Sequence, residues 1–135
     1  MIRLLMLDTD TASYVIRAKM PAIDAHLRSV DVRQVCVSAV TRGEVRFGAR
    51  RLSNAKRLQA EVEKFLNRVR TLAWDEDAAD RFADVKAGLE RSGTPIGVMD
   101  TMIAAHALSI GATLVTNNTR HFERVKGLNL ENWAE

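Results

Sequence analysis

The sequence is poor in the residues that characterise disulfide-rich, low-complexity and membrane-spanning proteins. Its 135 residues include one cysteine, two prolines and seven glycines. A lone cysteine, Cys36, forms no disulfide within the chain and no cysteine-based zinc site, and we expect it to be a small buried hydrophobe. No segment approaches the roughly 20 apolar residues that a membrane span needs. The N-terminus also lacks the basic and apolar regions of a signal peptide, so we expect no membrane association and a location in the reducing cytoplasm.

The sequence does contain enough apolar material for a folded domain. Hydrophobic residues make up 47% of the chain and recur along its whole length. A disordered protein has few such residues and a large net charge, so this composition excludes that class. We therefore predict one domain over residues 1–135, with a core of its own.

Positive charge is concentrated in one part of the chain. The formal net charge is +3, yet residues 42–70 contain nine cations and three acids, and residues 75–90 contain six acids and two cations. A basic segment of this kind can follow a phosphate backbone, or it can be an ordinary solvated helix face. The charge pattern by itself leaves both interpretations open.

Short apolar runs alternate with segments of helical periodicity. The runs predict strands at Ile2–Leu7, Gln34–Ser38, Thr71–Trp74, Thr113–Thr116 and Leu128–Leu130. Helices are predicted at Thr11–Lys19, Ile23–Val30, Thr41–Ala49, from a cap at Ser53, between Asp75 and Gly93, at Val98–Ile110 and at Arg120–Val125. This alternation is typical of an α/β fold in which a central, mostly parallel sheet of about five strands is covered by helices on both faces.

Three acidic residues are candidates for a common site at one edge of that sheet. Ligands of parallel sheets bind outside the carboxyl ends of the strands, and Asp8 directly follows the first strand, although it could also simply cap the next helix. Glu44 begins the helix after the second strand, where Thr41 and Glu44 also fit a capping box. Asp100 is the one charged residue between Thr94 and Thr119.

The surroundings of Asp100 predict a buried carboxylate. Its helix is otherwise built of Met, Ile, Ala and Leu residues. The helix dipole would stabilise an acid at this position, but a buried carboxylate is costly without a partner. Three acids from three segments suit Mg²⁺ or Mn²⁺, which prefer oxygen ligands. The histidines share no ligand spacing: His106 is predicted to be a packed helix residue and His121 a surface residue.

The chain resembles the PIN-domain nucleases, and among them the VapC-type toxins. The matching pieces are M-L-D-T, V-S-A-V-T-R-G-E-V, G-T-P-I-G-V-M-D-T-M-I-A-A-H-A-L and L-V-T-N-N-T-R-H-F-E-R-V-K-G-L, followed by a closing N-W. They occur in the order of the family and cover essentially the whole chain, and the third piece is the most specific. The resemblance implies a three-layer PIN-like fold.

The same resemblance implies a function and a set of site residues. It implies a Mg²⁺-dependent endoribonuclease, with Mn²⁺ as a possible substitute, that cleaves tRNA or other structured RNA. It further implies a homodimer, inhibition by a VapB-type antitoxin and assembly with that antitoxin on operator DNA. The acidic site falls on Asp8, Glu44 and Asp100, where the three acids are both metal ligands and catalytic. The surrounding small polar positions are Thr9, Ser38, Thr116 and Asn118. If the substrate is RNA, the basic segment of this sequence supplies the candidates for holding its backbone, which are Arg42, Arg46, Arg50 and Arg51.

Two positions depart from the family pattern, and two other functions remain open. Asn118 stands where many members have a fourth acid, which leaves one or two metal ions possible. Asp10 stands where the family often has Asn, and we expect it to cap a helix or hydrogen-bond near the site.

The stretch L-D-T-D-T also resembles the D-x-D signature of haloacid-dehalogenase-like phosphatases, with Asp8 as nucleophile and Asp10 as the acid/base. The other alternative is a catalytically silent PIN-like binding module.

Overall fold

The computed structural model describes residues 3–52 and 55–135 of the chain. The strands of this part are β1 (Leu5–Leu7), β2 (Val35–Ser38), β3 (Arg70–Leu72), β4 (Thr113–Val115) and β5 (Leu130–Glu131). The α-helices are α1 (Thr9–Arg17), α2 (Pro21–Ser29), α3 (Ala39–Arg50), α4 (Lys56–Arg68), α5 (Glu76–Arg91), α6 (Val98–Ile110) and α7 (Thr119–Phe122). A short 3-10 helix at Val32–Gln34 precedes β2.

The strands form one sheet in the order β3-β2-β1-β4-β5, and every described pair is parallel. Leu5 of β1 pairs with Val35 on one side and with Thr113 on the other. The three middle strands therefore end at the same edge, with Asp8 following β1 and Ser38 ending β2. The prediction of a central parallel sheet of five strands is confirmed.

The core consists of two apolar clusters, one on each face of the sheet. Leu5 and Leu7 point into a cluster with α1 to α4, whereas Met6 points into a cluster with α5 to α7. All three side chains are fully buried. A strand buried on both faces needs apolar residues at every position, which is why β1 is an unbroken apolar run rather than an alternating one. Cys36 is buried in the second cluster, as predicted.

Several helices begin earlier than the sequence pattern predicts. Asp8 caps α1, which starts at Thr9, and Pro21 is the first residue of α2 rather than an interruption. Proline is favoured at the first position of a helix because the N–H groups of the first turn have no partner within the helix, so the N–H that proline lacks is not needed. Ser38 caps α3, so the predicted capping box from Thr41 to Glu44 is wrong.

Other boundaries shift near the C-terminal ends of elements. Helix α4 ends at Arg68 with Val69 as its cap, and β3 begins at Arg70 and contains Leu72. Helix α7 is only four residues long, and β5 lies at Leu130–Glu131 rather than at the predicted Leu128–Leu130. The predicted cap at Ser53 lies outside the described residues. Helices α5 and α6 agree with the predictions, with Asp75 as cap of α5 and Gly111 in the left-handed conformation after α6.

Among the described helices, none has both the length and the apolar character needed to cross a bilayer.

Replacement of Leu114 by Ala tests the double-sided burial of the sheet. Leu114 is fully buried in β4, so we expect Leu114→Ala to lower the free energy of unfolding by about 2 to 5 kcal/mol through lost burial and a residual cavity. Leu52→Ala makes the same chemical change at a side chain that is 45% exposed, and we expect a change within about 0.5 kcal/mol. Urea denaturation measures both, and equal effects of the two substitutions would contradict the two-cluster core.

Candidate functional site

Asp8 is the most buried of the three predicted acids. It follows β1 with only 4% of its surface exposed. Its Oδ1 accepts a hydrogen bond from the Thr11 N–H (2.9 Å), and its Oδ2 accepts one from Thr116 Oγ1 (2.6 Å). Burial raises the pKa of the Asp8 carboxyl above its usual range, and these two hydrogen bonds oppose the rise. Asp8 is thus the helix cap that the sequence allowed and also a carboxylate at the expected edge of the sheet.

Glu44 reaches the same region from α3. Its Oε1 accepts a hydrogen bond from Thr9 Oγ1 at 2.6 Å. Thr9 Oγ1 also lies 3.2 Å from Thr41 Oγ1, so two threonine hydroxyls meet beside the Glu44 carboxylate. Because Thr9 directly follows Asp8, this contact joins the start of α1 to the second predicted acid.

Asp100 lies in the first turn of α6 and is only partly buried, with 36% of its side chain exposed. The prediction of a buried carboxylate is therefore wrong, because the start of α6 lies at the edge of the sheet, whereas the apolar residues later in the helix lie in the core. Its Oδ2 is 3.1 Å from His121 Nε2. Partial burial raises the pKa of Asp100, the nearby His121 lowers it, and the charges of Glu44 and Asp10 raise it further.

The charge of Glu44 acts on Asp100, but the three predicted acids do not form a closed metal site within the described residues. Within residues 3–52 and 55–135, no three carboxylate, imidazole or thiol groups are arranged so that they could hold one ion. Each predicted acid instead contacts its own donor from another part of the chain. The carboxylate oxygens are nevertheless the donor type that hard divalent cations prefer. A cation there would also relieve the repulsion that raises the pKa of Asp100.

The other predicted polar residues have different surroundings. The Ser38 hydroxyl lies 2.8 Å from Nδ1 of His106 and accepts a hydrogen bond from the Val40 N–H. Within the described part of the chain, the Ser38 hydroxyl therefore bonds to His106 and to the start of α3 rather than to an acid, and His106 is the packed helix residue that was predicted, 1% exposed. Asn118 donates its backbone N–H to Thr116 Oγ1. Asp10 is exposed in the first turn of α1, and Asp8 rather than Asp10 caps that helix.

Two of the four arginines proposed for RNA are already engaged within the protein. Arg42 donates to Thr71 Oγ1 at 3.0 Å, and Arg46 forms an ion pair with Glu63 on α4. Arg50 and Arg51 are exposed near the end of α3. The basic segment is therefore partly a structural feature that joins α3 to its neighbours.

His121 is the site residue that the sequence analysis missed. It was predicted to be a surface residue, but only 23% of its side chain is exposed. Its Nε2 lies 2.9 Å from the carbonyl oxygen of Ile96 and 3.1 Å from Asp100 Oδ2. One signal could have indicated this contact: His121 closely follows Thr116–Asn118, which was already expected at the ligand-binding edge.

A groove lies beside Glu44, between α1, α3 and α4. Its volume is about 250 Å³, and its lining includes Thr9, Glu44 and Phe47 together with the cations Arg17 and Arg51. Phe47 is 66% exposed, which is unusual for a large aromatic side chain. The groove therefore combines an exposed aromatic ring, positive charge and direct contact with the candidate site.

The comparison with known protein families decides between the possible functions. The model of the PIN domain matches residues 5–128. The chain belongs to the PIN-domain family. The tRNA(fMet)-specific endonuclease VapC of Salmonella typhimurium is 39% identical to this PIN-domain protein over 129 residues, which are 96% of this chain and 97% of the relative. Ribonuclease VapC2 of Haemophilus influenzae is 40% identical, with the same coverage.

Solved structures agree with this assignment. The crystal structure of DNA-bound VapBC from Salmonella typhimurium contains a chain with a TM-score of 0.91 and 38% identity, and the match covers 97% of this chain and 98% of that one. The resemblance to VapC-type PIN proteins is thereby confirmed. Because the chain belongs to the PIN-domain family, the alternative of a haloacid-dehalogenase-like phosphatase, in which Asp10 would have been an acid/base, is set aside.

Substitution of Asp8 by Asn tests the cost of burying its charge. A raised pKa means that the ionised carboxylate destabilises the folded protein at neutral pH, and that this penalty fades as the pH falls from the raised pKa towards the usual pKa of an aspartate. With metal removed by EDTA, we therefore expect Asp8→Asn to melt at a higher temperature than the wild-type protein at pH 7, and the difference to shrink towards pH 4.

The control is Asp80→Asn, which makes the same change at an exposed position of α5. It should not reproduce the pH-dependent difference in melting temperature. A difference for Asp8→Asn that stays constant from pH 7 to pH 4 would contradict the expected destabilisation.

Proposed function

We propose that this protein is the toxin of a type II toxin–antitoxin system, a single PIN domain that acts in the cytoplasm. Its activity is metal-dependent endoribonuclease cleavage of structured RNA, with tRNA as the substrate class. Three observations support this proposal: Asp8 follows β1 and binds Thr116, Glu44 binds Thr9, the residue next to Asp8, and the charge of Glu44 acts on Asp100. The relatives support the substrate class, because one of them is named for cleavage specific to tRNA(fMet).

The proposed cofactor is Mg²⁺, for which Mn²⁺ can substitute. The residues that would hold it are Asp8, Glu44 and Asp100, whose carboxylates supply oxygen donors from three separate elements. When bound, the metal lowers the pKa of a coordinated water and offsets charge that develops on the phosphate in the transition state. The donor set of the chain suits this role, because partial burial raises the pKa of Asp100, the charges of Glu44 and Asp10 raise it further, and a bound cation would favour the ionised carboxylate.

Within the chain, the neighbouring donors orient these acids. Thr116 and the Thr11 N–H each bind one oxygen of Asp8, and Thr9 binds one oxygen of Glu44. Each such contact restricts the rotation of a carboxylate before the substrate arrives, which reduces the reorganisation needed during reaction. The proposed reaction is in-line attack of water on the phosphate, which breaks the bond from phosphorus to the 3′-oxygen. The products are a 5′-phosphate and a 3′-hydroxyl.

We further propose that the basic segment binds the RNA backbone. Arg50 and Arg51 are exposed, whereas Arg42 and Arg46 would have to exchange their contacts with Thr71 and Glu63 for phosphates. Contacts of this type position the nucleic acid without reading its sequence, and they make binding sensitive to salt.

The proposed inhibitor is a VapB-type antitoxin, whose C-terminal segment would cover the site. The groove lined by Thr9, Glu44 and Phe47 offers it a place, because this groove joins an exposed aromatic ring to the candidate acids. By analogy with the DNA-bound VapBC structure, we propose a homodimer of this chain that assembles with the antitoxin on operator DNA.

Asp100→Asn tests the catalytic assignment. We expect cleavage of purified tRNA in Mg²⁺ to fall by at least about 100-fold, because a metal ligand contributes several kcal/mol of transition-state stabilisation. The measurement is the rate of appearance of cleavage ends, mapped by sequencing, beginning with tRNA(fMet).

Asp80→Asn, an exposed substitution of the same kind, should leave the rate unchanged. Full activity of Asp100→Asn would contradict the assignment of Asp100. A wild-type protein that binds antitoxin but neither binds Mn²⁺ nor cleaves RNA would favour the silent binding module.

Phe47→Glu tests the groove as the antitoxin surface. We expect weaker binding of the proposed VapB-type antitoxin, because the change places a charge in an apolar contact. Calorimetry on the separated proteins should show a rise in Kd of at least about 10-fold, the equivalent of about 1.4 kcal/mol. Val32→Glu, at another exposed apolar residue that does not line the groove, is the matched control. Equal affinities of the wild-type and Phe47→Glu proteins would contradict the placement.

A further inference from the structure

One short segment contacts both aspartates of the candidate site. Thr116 directly follows β4 and donates from Oγ1 to Asp8 Oδ2 at 2.6 Å. Five residues later in the sequence, His121 places Nε2 3.1 Å from Asp100 Oδ2. Between them, the Asn118 N–H donates to Thr116 Oγ1 at 2.9 Å, which holds the turn against the same hydroxyl. Two aspartates that are 92 positions apart in the sequence are thus joined through six consecutive residues.

The imidazole of His121 is held firmly enough to orient a neighbouring group. Its Nε2 also lies 2.9 Å from the Ile96 carbonyl oxygen, in the loop that leads into α6. Its ring packs edge-on against Phe122, with ring centres 5.5 Å apart and planes at 88°. Phe122 is 1% exposed and belongs to the core. The ring therefore has its position defined by the backbone and by the core as well as by Asp100.

We propose that His121 is a positioning residue of the nuclease site, and that the segment from Thr116 to His121 sets the orientation and separation of Asp8 and Asp100 for the divalent cation. This inference rests on the proposed metal-dependent activity. A donor bound to a carboxylate oxygen restricts the rotation of that carboxylate, and the remaining lone pairs of its oxygens stay available to a metal. Such outer partners typically alter metal affinity by about 10- to 100-fold.

A purely structural role for His121 makes a different prediction. In that case, the imidazole would serve only to tie α7 to the loop before α6 through the Ile96 carbonyl. Arg124 provides a matched comparison, because its Nη1 donates to the carbonyl oxygen of the adjacent Pro95 at 3.3 Å. Arg124 thus anchors the same loop without contributing a contact to Asp100.

The test measures binding of Mn²⁺ by the full-length protein without RNA, from the electron paramagnetic resonance signal of free Mn²⁺. We expect His121→Phe to raise the Kd for Mn²⁺ by about 10- to 100-fold. His121→Gln should restore most of the affinity, because its amide N–H can occupy the place of Nε2–H. The shorter amide of His121→Asn should not restore it. Arg124→Met should bind Mn²⁺ as the wild-type protein does.

Two further measurements make the outcomes distinguishable. Circular dichroism melting of the metal-free variants reports whether each one folds, and the Gln and Asn variants still provide a comparison if His121→Phe does not fold. Asp100→Asn reports on the proposed function itself. If the wild-type protein failed to bind Mn²⁺, both the proposed metal dependence and this inference would be overturned.

If wild-type binding were lost in Asp100→Asn but kept in His121→Phe or His121→Asn, only the role of His121 would be overturned. Equal losses of Mn²⁺ affinity in Arg124→Met and in the His121 variants would assign the effect to the loop before α6. This result would likewise overturn the positioning role of His121. The positioning role of His121 would be supported if Mn²⁺ affinity were lost in His121→Asn, recovered in His121→Gln and unchanged in Arg124→Met.

Discussion

The burial of the Asp8 carboxylate is the constraint on which the rest of the structure depends. Its backbone N–H continues the sheet by donating to the Val115 carbonyl at 3.0 Å. Its side chain caps α1 and accepts the hydroxyl of Thr116. One residue therefore connects β1, α1 and the end of β4. A buried carboxylate must keep such partners because an unpaired one would be far more costly, so the geometry around Asp8 is tightly restricted.

The burial of the Asp8 carboxylate lowers the stability of the metal-free protein and at the same time serves its proposed function. Desolvation raises the pKa of Asp8, so the ionised form that a divalent cation requires is the form that destabilises the metal-free fold. Binding of a cation to the folded protein would offset this penalty by mass action. The site is thus expected to be less stable when empty than a neutral version of itself, as is common where strain or unfavourable charge is retained for activity.

A second feature of the candidate site is that the acids and their hydrogen-bond donors have separate roles. Each of the three acids is oriented by a side chain from a distant part of the sequence: Thr116 at Asp8, Thr9 at Glu44 and His121 at Asp100. In the proposed function the acids supply the negative charge for a metal, whereas the donors restrict where each carboxylate points. This arrangement explains how α1, α3 and α6 can contribute to one site although their acids form no closed cluster within the described part of the chain.

The sequence by itself determined the α/β architecture, because an apolar run such as Leu5–Leu7 fits a strand buried on both faces. It also singled out Asp8, Glu44 and Asp100, since a carboxylate after an apolar strand or in an apolar helix is conspicuous. Only the tertiary structure decided that Ser38 pairs with His106, and that Asp100 is partly exposed beside His121. Local patterns record whether a residue favours burial or a helix cap, whereas a contact between distant residues depends on strand order and helix packing. That order is set by the folding of the whole chain.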